Sequence, residues 1–149
     1  MIFLDSELTQ SERGRDAFFQ VIPVPLERTV SYGAGTAQGP AAILAASSEL
    51  ERNVAGKEPC QRGIFTQPLV KCGGPLPDIM ADIAARTRGA VQQGRCPVVL
   101  GGEHSLTYGT VMGARQALGK QQPLGLIQID AHADLRVDYR GERHSHASV

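Results

Sequence analysis

The sequence predicts an α/β fold with a mainly parallel sheet covered by helices on both faces. Two observations carry this reading. Short apolar runs alternate with helix-patterned stretches from about Phe18 onward. Glycines and prolines punctuate the joins, at Gly39-Pro40, Gly94 and Gly119.

Residues 1–17 are polar and read as a loose N-terminal arm. Phe18 to Val24, FFQVIPV, reads as a buried strand. The loop SYGAGTAQGP follows, broken by Gly33, Gly35 and Gly39. Pro40 suits the first turn of a helix over about Ala41 to Asn53, with Ile43, Leu44 and Leu50 as its apolar positions. Gly56 to Pro77 is rich in glycine and proline and holds one short strand candidate, Ile64 to Cys72. Asp78 is a candidate N-cap for a helix reaching about Gln93, with Ile79, Ile83 and Val91 inward and Gly94 as its stop. Pro97 to Leu100, PVVL, is the next buried strand. It opens into GGEHS, and a helix runs from about Ser105 to Leu118. Leu124 to Ile129, LGLIQI, is the last strand expected.

Composition narrows the function. The chain has 149 residues, 42% of them hydrophobic and 20% charged, which suits one globular domain. Its 15 basic residues equal its 15 acidic ones, so it lacks the electrostatic footprint of a nucleic-acid or membrane-surface binder. No apolar run reaches membrane-spanning length. The N-terminus MIFLDSELTQSER lacks the order of a secretory signal. Cys60, Cys72 and Cys96 form no CxxC pair and read as reduced thiols, so the expected compartment is the cytoplasm. The Gly33–Gly35 GxG lacks dinucleotide spacing, and no GxxxxGK[ST] occurs.

The chemistry concentrates where strands end. PVVL runs into Gly101-Gly102-Glu103-His104-Ser105, and LGLIQI runs into Asp130-Ala131-His132-Ala133-Asp134. Ligands in open α/β sheets bind outside the carboxyl ends of strands, so His104 and the Asp130 cluster should face one place. Gly101 and Gly102 permit a sharp turn and close backbone approach. Buried carboxylates are costly unless a cation or hydrogen bonds compensate them. Two aspartates and two histidines, with no thiolate, suit Mn²⁺, Co²⁺, Fe²⁺ or Zn²⁺. An aspartate can bridge two ions, and two ions about 3.5 Å apart can acidify a shared water.

Plainer readings stand beside these. His104 alone would pass for a hydrogen-bonded structural histidine. Glu103 is either a partner behind the metal or a helix-start acid placed for the dipole. Ser105 and Tyr108 read as capping and packing residues. His144 and His146, in RHSHASV, suit metal or proton transfer and equally an exposed polar tail.

GGEHSLTYG, IDAHADLR and SHASV together resemble the ureohydrolases, the family of agmatinase and arginase. VIPVPLERTVSYGAGTAQGPAAILAAS resembles the opening of the agmatinase catalytic domain. The resemblance covers about Phe18 to Val149. It implies a three-layer α/β/α fold and a binuclear manganese enzyme that hydrolyses a guanidino compound to urea and an amine. By the same resemblance His104, Asp130, His132 and Asp134 are metal ligands. Asp130 bridges the two ions, His104 and Asp134 hold one, and His132 holds the other. Asp134 also accepts a hydrogen bond from the attacking hydroxide, so it and His146 are the catalytic residues. His146 matches the family histidine that shuttles protons or meets the guanidinium. His144 has no matched role.

GGEHS and DAHADLR resemble the agmatinase branch. Arg136 stands where arginases place an asparagine that helps bind the amino-acid end of arginine. That implies a substrate without an α-carboxylate, agmatine first, yielding putrescine and urea in polyamine biosynthesis. Guanidinobutyrate, arginine and formiminoglutamate remain alternatives. One motif of the family, S-x-D-x-D on a later strand, has no counterpart before Val149. The chain therefore reads as the N-terminal half of a ureohydrolase domain. Asp130 and Asp134 supply two negative charges against the four positive charges of two divalent ions. A non-catalytic fragment, or a chain that pairs with a complementing subunit, is the second expectation. Beyond a small guanidino substrate, the only partner expected is a further copy of the chain.

Overall fold

Strand β1 (Phe19–Val24) runs through the middle of a parallel three-stranded sheet, between β2 (Ile64–Thr66) and β3 (Cys96–Gly101). The computed structural model describes residues 1–149. Phe19 pairs with Ile64 on one side and Cys96 on the other, and Val24 pairs with Gly101. The loops that leave β1 and β3 therefore start side by side at one sheet edge.

Being central, β1 is buried on both faces. Ile22 and Val24 point into a core with Leu26, Val70, Leu106 and the inner face of helix α2 (Leu76–Gln92), namely Leu76, Ile79, Met80 and Ile83. Val21 points the other way, into a second core with Ile64, Cys60, Leu4, Leu8 and Leu44 of helix α1 (Gly39–Ala46). Each large aliphatic side chain so buried contributes about 1.5–3 kcal/mol. Helices thus cover both faces, as the alternation of elements predicts.

Helix α3 (Thr107–Leu118) lies against α2 through Gly109 and Gly113, one turn apart. A Cβ at Gly109 would sit 2.8 Å from the Met80 carbonyl oxygen, and one at Gly113 would sit 2.4 Å from that of Ala84. Only glycine allows this approach, and the apolar periodicity gave no sign of it.

Several expectations need correction. Helix α1 is shorter than Ala41 to Asn53; a 3₁₀ turn, Ser47–Glu49, ends it, and Leu50 is exposed. Helix α2 begins at Leu76 with Pro75 as its N-cap, which places Asp78 inside the first turn. There Asp78 favours the helix dipole without capping it. The strand expected over Ile64 to Cys72 forms a ladder only to Thr66. Beyond it, Gln67 and Val70 still donate backbone N–H groups to Val21 and Pro23.

The first 17 residues are not loose. Leu4 and Leu8 are buried, Leu4 N–H donates to Ser47 Oγ at 2.8 Å, and Arg52 joins Glu12 at 2.8 Å. The Glu12 carboxyl is pushed down to about 2, first by Arg52 and then by the Thr9 N–H.

The clearest departure is Leu124 to Ile129. This apolar run belongs to no sheet, and Leu126, Ile127 and Ile129 are exposed. A strand needs a neighbour for its N–H and C=O groups, and none of β1, β2 or β3 pairs with it. No helix is long and apolar enough to cross a membrane.

Candidate metal centre

The site starts from the close contact between the loops that follow β1 and β3. A Cβ on Gly102 would lie 2.2 Å from the Leu26 carbonyl oxygen, so only glycine fits. The next residue donates its N–H to that same oxygen, Glu103 to Leu26, at 2.8 Å. Glu103 is 5% exposed, and its side chain turns back into the β1 loop. Its Oε1 accepts the N–H groups of Arg28 and Thr29, at 3.0 and 2.8 Å, and its Oε2 accepts the Thr29 hydroxyl at 2.6 Å. Glu103 thus holds the β1 loop, a role neither sequence reading assigned to it. Glu27 closes the same loop further on by accepting the N–H groups of Gly35 and Ala37. Those donors, Ala37 first, hold the Glu27 carboxyl below the ordinary range.

His104 follows Glu103 and opens a 3₁₀ turn into α3. It meets Asp130 and Asp134, and one ligand atom from each of the three lies within 4.8 Å of the others. His104 Nδ1 is 3.5 Å from Asp130 Oδ2, and its Nε2 is 3.9 Å from Asp134 Oδ2. These gaps are long for hydrogen bonds. They start from different ring nitrogens, so the case for one shared ion rests on the 4.8 Å grouping of one donor atom from each residue.

Asp134 makes the strongest case for a cation. Its side chain is 8% exposed, and its partner is the Gln128 amide, at 3.3 Å from Oδ2. A carboxylate so enclosed, with one long neutral donor, is under-compensated. Its backbone is left-handed, with φ 48°, a conformation aspartate tolerates better than most residues. The donor set of one imidazole and two carboxylates therefore fits a divalent ion.

His132 stands apart from the trio. Its side chain is 82% exposed, and its Nδ1 is 3.7 Å from Asp130 Oδ1. Asp130 consequently presents one oxygen to His104 and the other to His132. The His132 N–H, donating to Oδ1 at 2.9 Å, is the first cause that lowers the Asp130 carboxyl below its usual range.

The same cleft, of about 1090 Å³, is lined by His104, His132, Asp134, Arg136, Tyr139 and His146. The C-terminal segment is docked and not an exposed tail, with Ser145 and Ala147 buried. His146 packs edge-on against Tyr139, and its ring centroid is 6.2 Å from that of His104. Its ring nitrogens meet Thr29 Oγ1 at 3.3 Å and Ser31 Oγ at 3.1 Å. His144 instead packs on Tyr108, at 4.7 Å between centroids, and is not part of the trio. Thr29, Ser31, Gln128 and Tyr139 escaped the sequence reading. The first two could have been noticed as hydroxyls in the loop that leaves a buried strand at its carboxyl end.

Residues 17–149 match the Arginase family. The chain belongs to the arginase family. An N(1)-aminopropylagmatine ureohydrolase of Synechocystis is 36% identical, over 99% of this chain and 49% of that protein. The agmatine ureohydrolase of Thermoplasma volcanium superposes with a TM-score of 0.83 at 26% identity, covering 99% of this chain and 48% of that one. A Trypanosoma cruzi formiminoglutamase solved with manganese has a TM-score of 0.83 at 19% identity, a likeness of fold; it is covered over 50% of its length. The chain spans about half the length of the arginase-family proteins it matches.

Proposed function

We propose that the protein is an agmatinase-type amidinohydrolase of the arginase family, releasing urea from a linear guanidino compound in a manganese-dependent reaction. The observation that carries this reading is the meeting of His104, Asp130 and Asp134 from loops far apart in sequence. Names borne by relatives, N(1)-aminopropylagmatine ureohydrolase and agmatine ureohydrolase, support agmatine or its aminopropyl derivative as the first substrates to test. Arg136, in place of the asparagine that arginases use, points the same way.

His104, Asp130 and Asp134 would hold one ion, and His132, beside Asp130, would contribute to a second. When bound, the ions supply a nucleophile acidified enough to attack a guanidinium carbon at neutral pH. Asp134 would orient that nucleophile by accepting its hydrogen bond. His146, across the cleft, would deliver the proton that the leaving amine requires.

The test is urea release from agmatine, N(1)-aminopropylagmatine, 4-guanidinobutyrate and arginine by the longest protein that carries this sequence. The expected result is turnover of agmatine or its aminopropyl derivative, lost in His132→Ala. Absence of urea from all four substrates contradicts the reading. A second reading, in which the 149-residue chain holds metal without turnover, is favoured by the exposure of His132. Metal binding by this chain without urea release would support it.

A further inference from the structure

We infer that Glu103 and Thr29 are positioning residues that hold the neutral His146 imidazole as its Nδ1–H tautomer, with Nε2 turned to the cleft as its basic nitrogen. The Thr29 hydroxyl has a single hydrogen to donate. The Glu103 carboxylate accepts only, and its Oε2 lies 2.6 Å from Thr29 Oγ1, the shortest of the contacts at that oxygen. The hydroxyl hydrogen therefore points at Glu103. Thr29 Oγ1 is left as an acceptor, and it takes the His146 backbone N–H at 3.0 Å. His146 Nδ1 also faces this oxygen, at 3.3 Å. The Ser145 hydroxyl also lies near Nδ1, but at 3.5 Å, the outer limit of a hydrogen bond; toward the nearer Thr29 oxygen, which has no hydrogen left to give, Nδ1 is the donor.

Nε2 then bears the lone pair and faces Ser31 Oγ at 3.1 Å. Free histidine in water favours the opposite tautomer, with its hydrogen on Nε2. The protein therefore has to impose this arrangement, and it does so through a buried acid. Glu103 is fixed by the N–H groups of Arg28 and Thr29, so it cannot turn away to leave the hydroxyl free. The acid of the Gly-Gly-Glu-His sequence thus acts through Thr29, by choosing which nitrogen of His146 can exchange a proton.

The proposal rests on the amidinohydrolase reading only for what the proton is used for; the tautomer is a property of the chain itself. It is read by long-range ¹H–¹⁵N correlation spectra of the 149-residue chain, with ¹⁵N-labelled histidine, above the pH at which His146 loses its second proton. His146 should show the Nδ1–H pattern. Thr29→Val should move the tautomer ratio toward Nε2–H by roughly fivefold to tenfold, while Thr29→Ser, which retains the hydroxyl, should preserve the wild-type pattern. A wild-type spectrum dominated by Nε2–H overturns the proposal without any variant being needed. A folded Thr29→Val chain with an unchanged pattern overturns the role of Thr29. If no guanidino compound yields urea but the Nδ1–H pattern is found, the functional reading fails and this one stands.

Discussion

At the residue scale, the decisive side chain is Asp134. It is enclosed, left-handed in its backbone and faces His104 across a gap no hydrogen bond fills. A cation would stabilise a carboxylate so placed, so the proposed metal site predicts that metal and fold are coupled. Asp134→Asn keeps the shape and removes the charge. We expect it to melt no lower than wild type in chelator, yet to gain much less on adding manganese; thermal melts in both conditions report this. Its manganese affinity should fall at least about tenfold, or about 1.4 kcal/mol. Equal stabilisation of both proteins by manganese would show that Asp134 is not a ligand. The Glu12–Arg52 pair sets a separate, pH-dependent term. The Glu12 carboxyl has an ordinary value of 4.5 and a folded value of about 2, so it stabilises the fold above 4.5 and loses that contribution as pH falls toward 2. Glu12→Gln should therefore flatten the fall in melting temperature between about pH 5 and pH 2.5. A slope identical to wild type would show that the pair does not secure the N-terminal segment.

At the scale of elements, two glycine contacts decide how the site is built. Gly102 lets the β3 loop lie on Leu26, and Gly113 lets α3 lie on α2. Gly102→Ala should destabilise the chain by about 1–3 kcal/mol and also loosen Thr29 and His146, because Glu103 would be displaced. Gly113→Ala should cost a similar amount and leave the cleft unchanged. Denaturant unfolding compares the two costs, and the His146 spectrum separates the two effects. Much of this scale was legible in the sequence. The strands after Phe18 and Pro97, and the helices ending before Gly94 and Gly119, lie where apolar runs and glycine stops put them. Helix–helix contact through Gly109 and Gly113 was not legible, because it depends on which backbone faces which. Ligand geometry was partly legible. Spacing pointed to His104, Asp130, His132 and Asp134 as one cluster, and nothing local in DAHAD says that His132 turns outward from the other three. The hold of Glu103 on the β1 loop was not legible, because its partners lie 74 and 75 positions away.

At the scale of the whole molecule, the sheet has an outer edge at β3 and an apolar segment that pairs with no strand. Ile127 and Ile129 are 89% and 98% exposed, and Leu135 and Val137 are exposed nearby. Unpaired strand edges and clustered apolar side chains favour association. The 149-residue chain should therefore self-associate with rising concentration, and Ile127→Lys with Ile129→Lys should shift it toward monomer in sedimentation velocity. A concentration-independent monomer would show that the segment is covered in solution. This is also where the sequence misled most. LGLIQI has the composition of a buried strand, but a strand is made by its neighbours, and none of the three strands present pairs with it. The two aspartates at its end converge on His104 all the same, since the segment from Asp130 to Asp134 reaches it without a ladder.

The most direct test of the metal centre is a manganese titration of the 149-residue chain followed by electron paramagnetic resonance, which reads free aqueous Mn²⁺. Wild-type chain should deplete the free-ion signal, and His104→Ala and Asp134→Asn should leave most of it in solution. A wild-type chain that leaves the signal untouched, or variants that deplete it as well as wild type, would contradict the assignment of His104, Asp130 and Asp134 as the metal site.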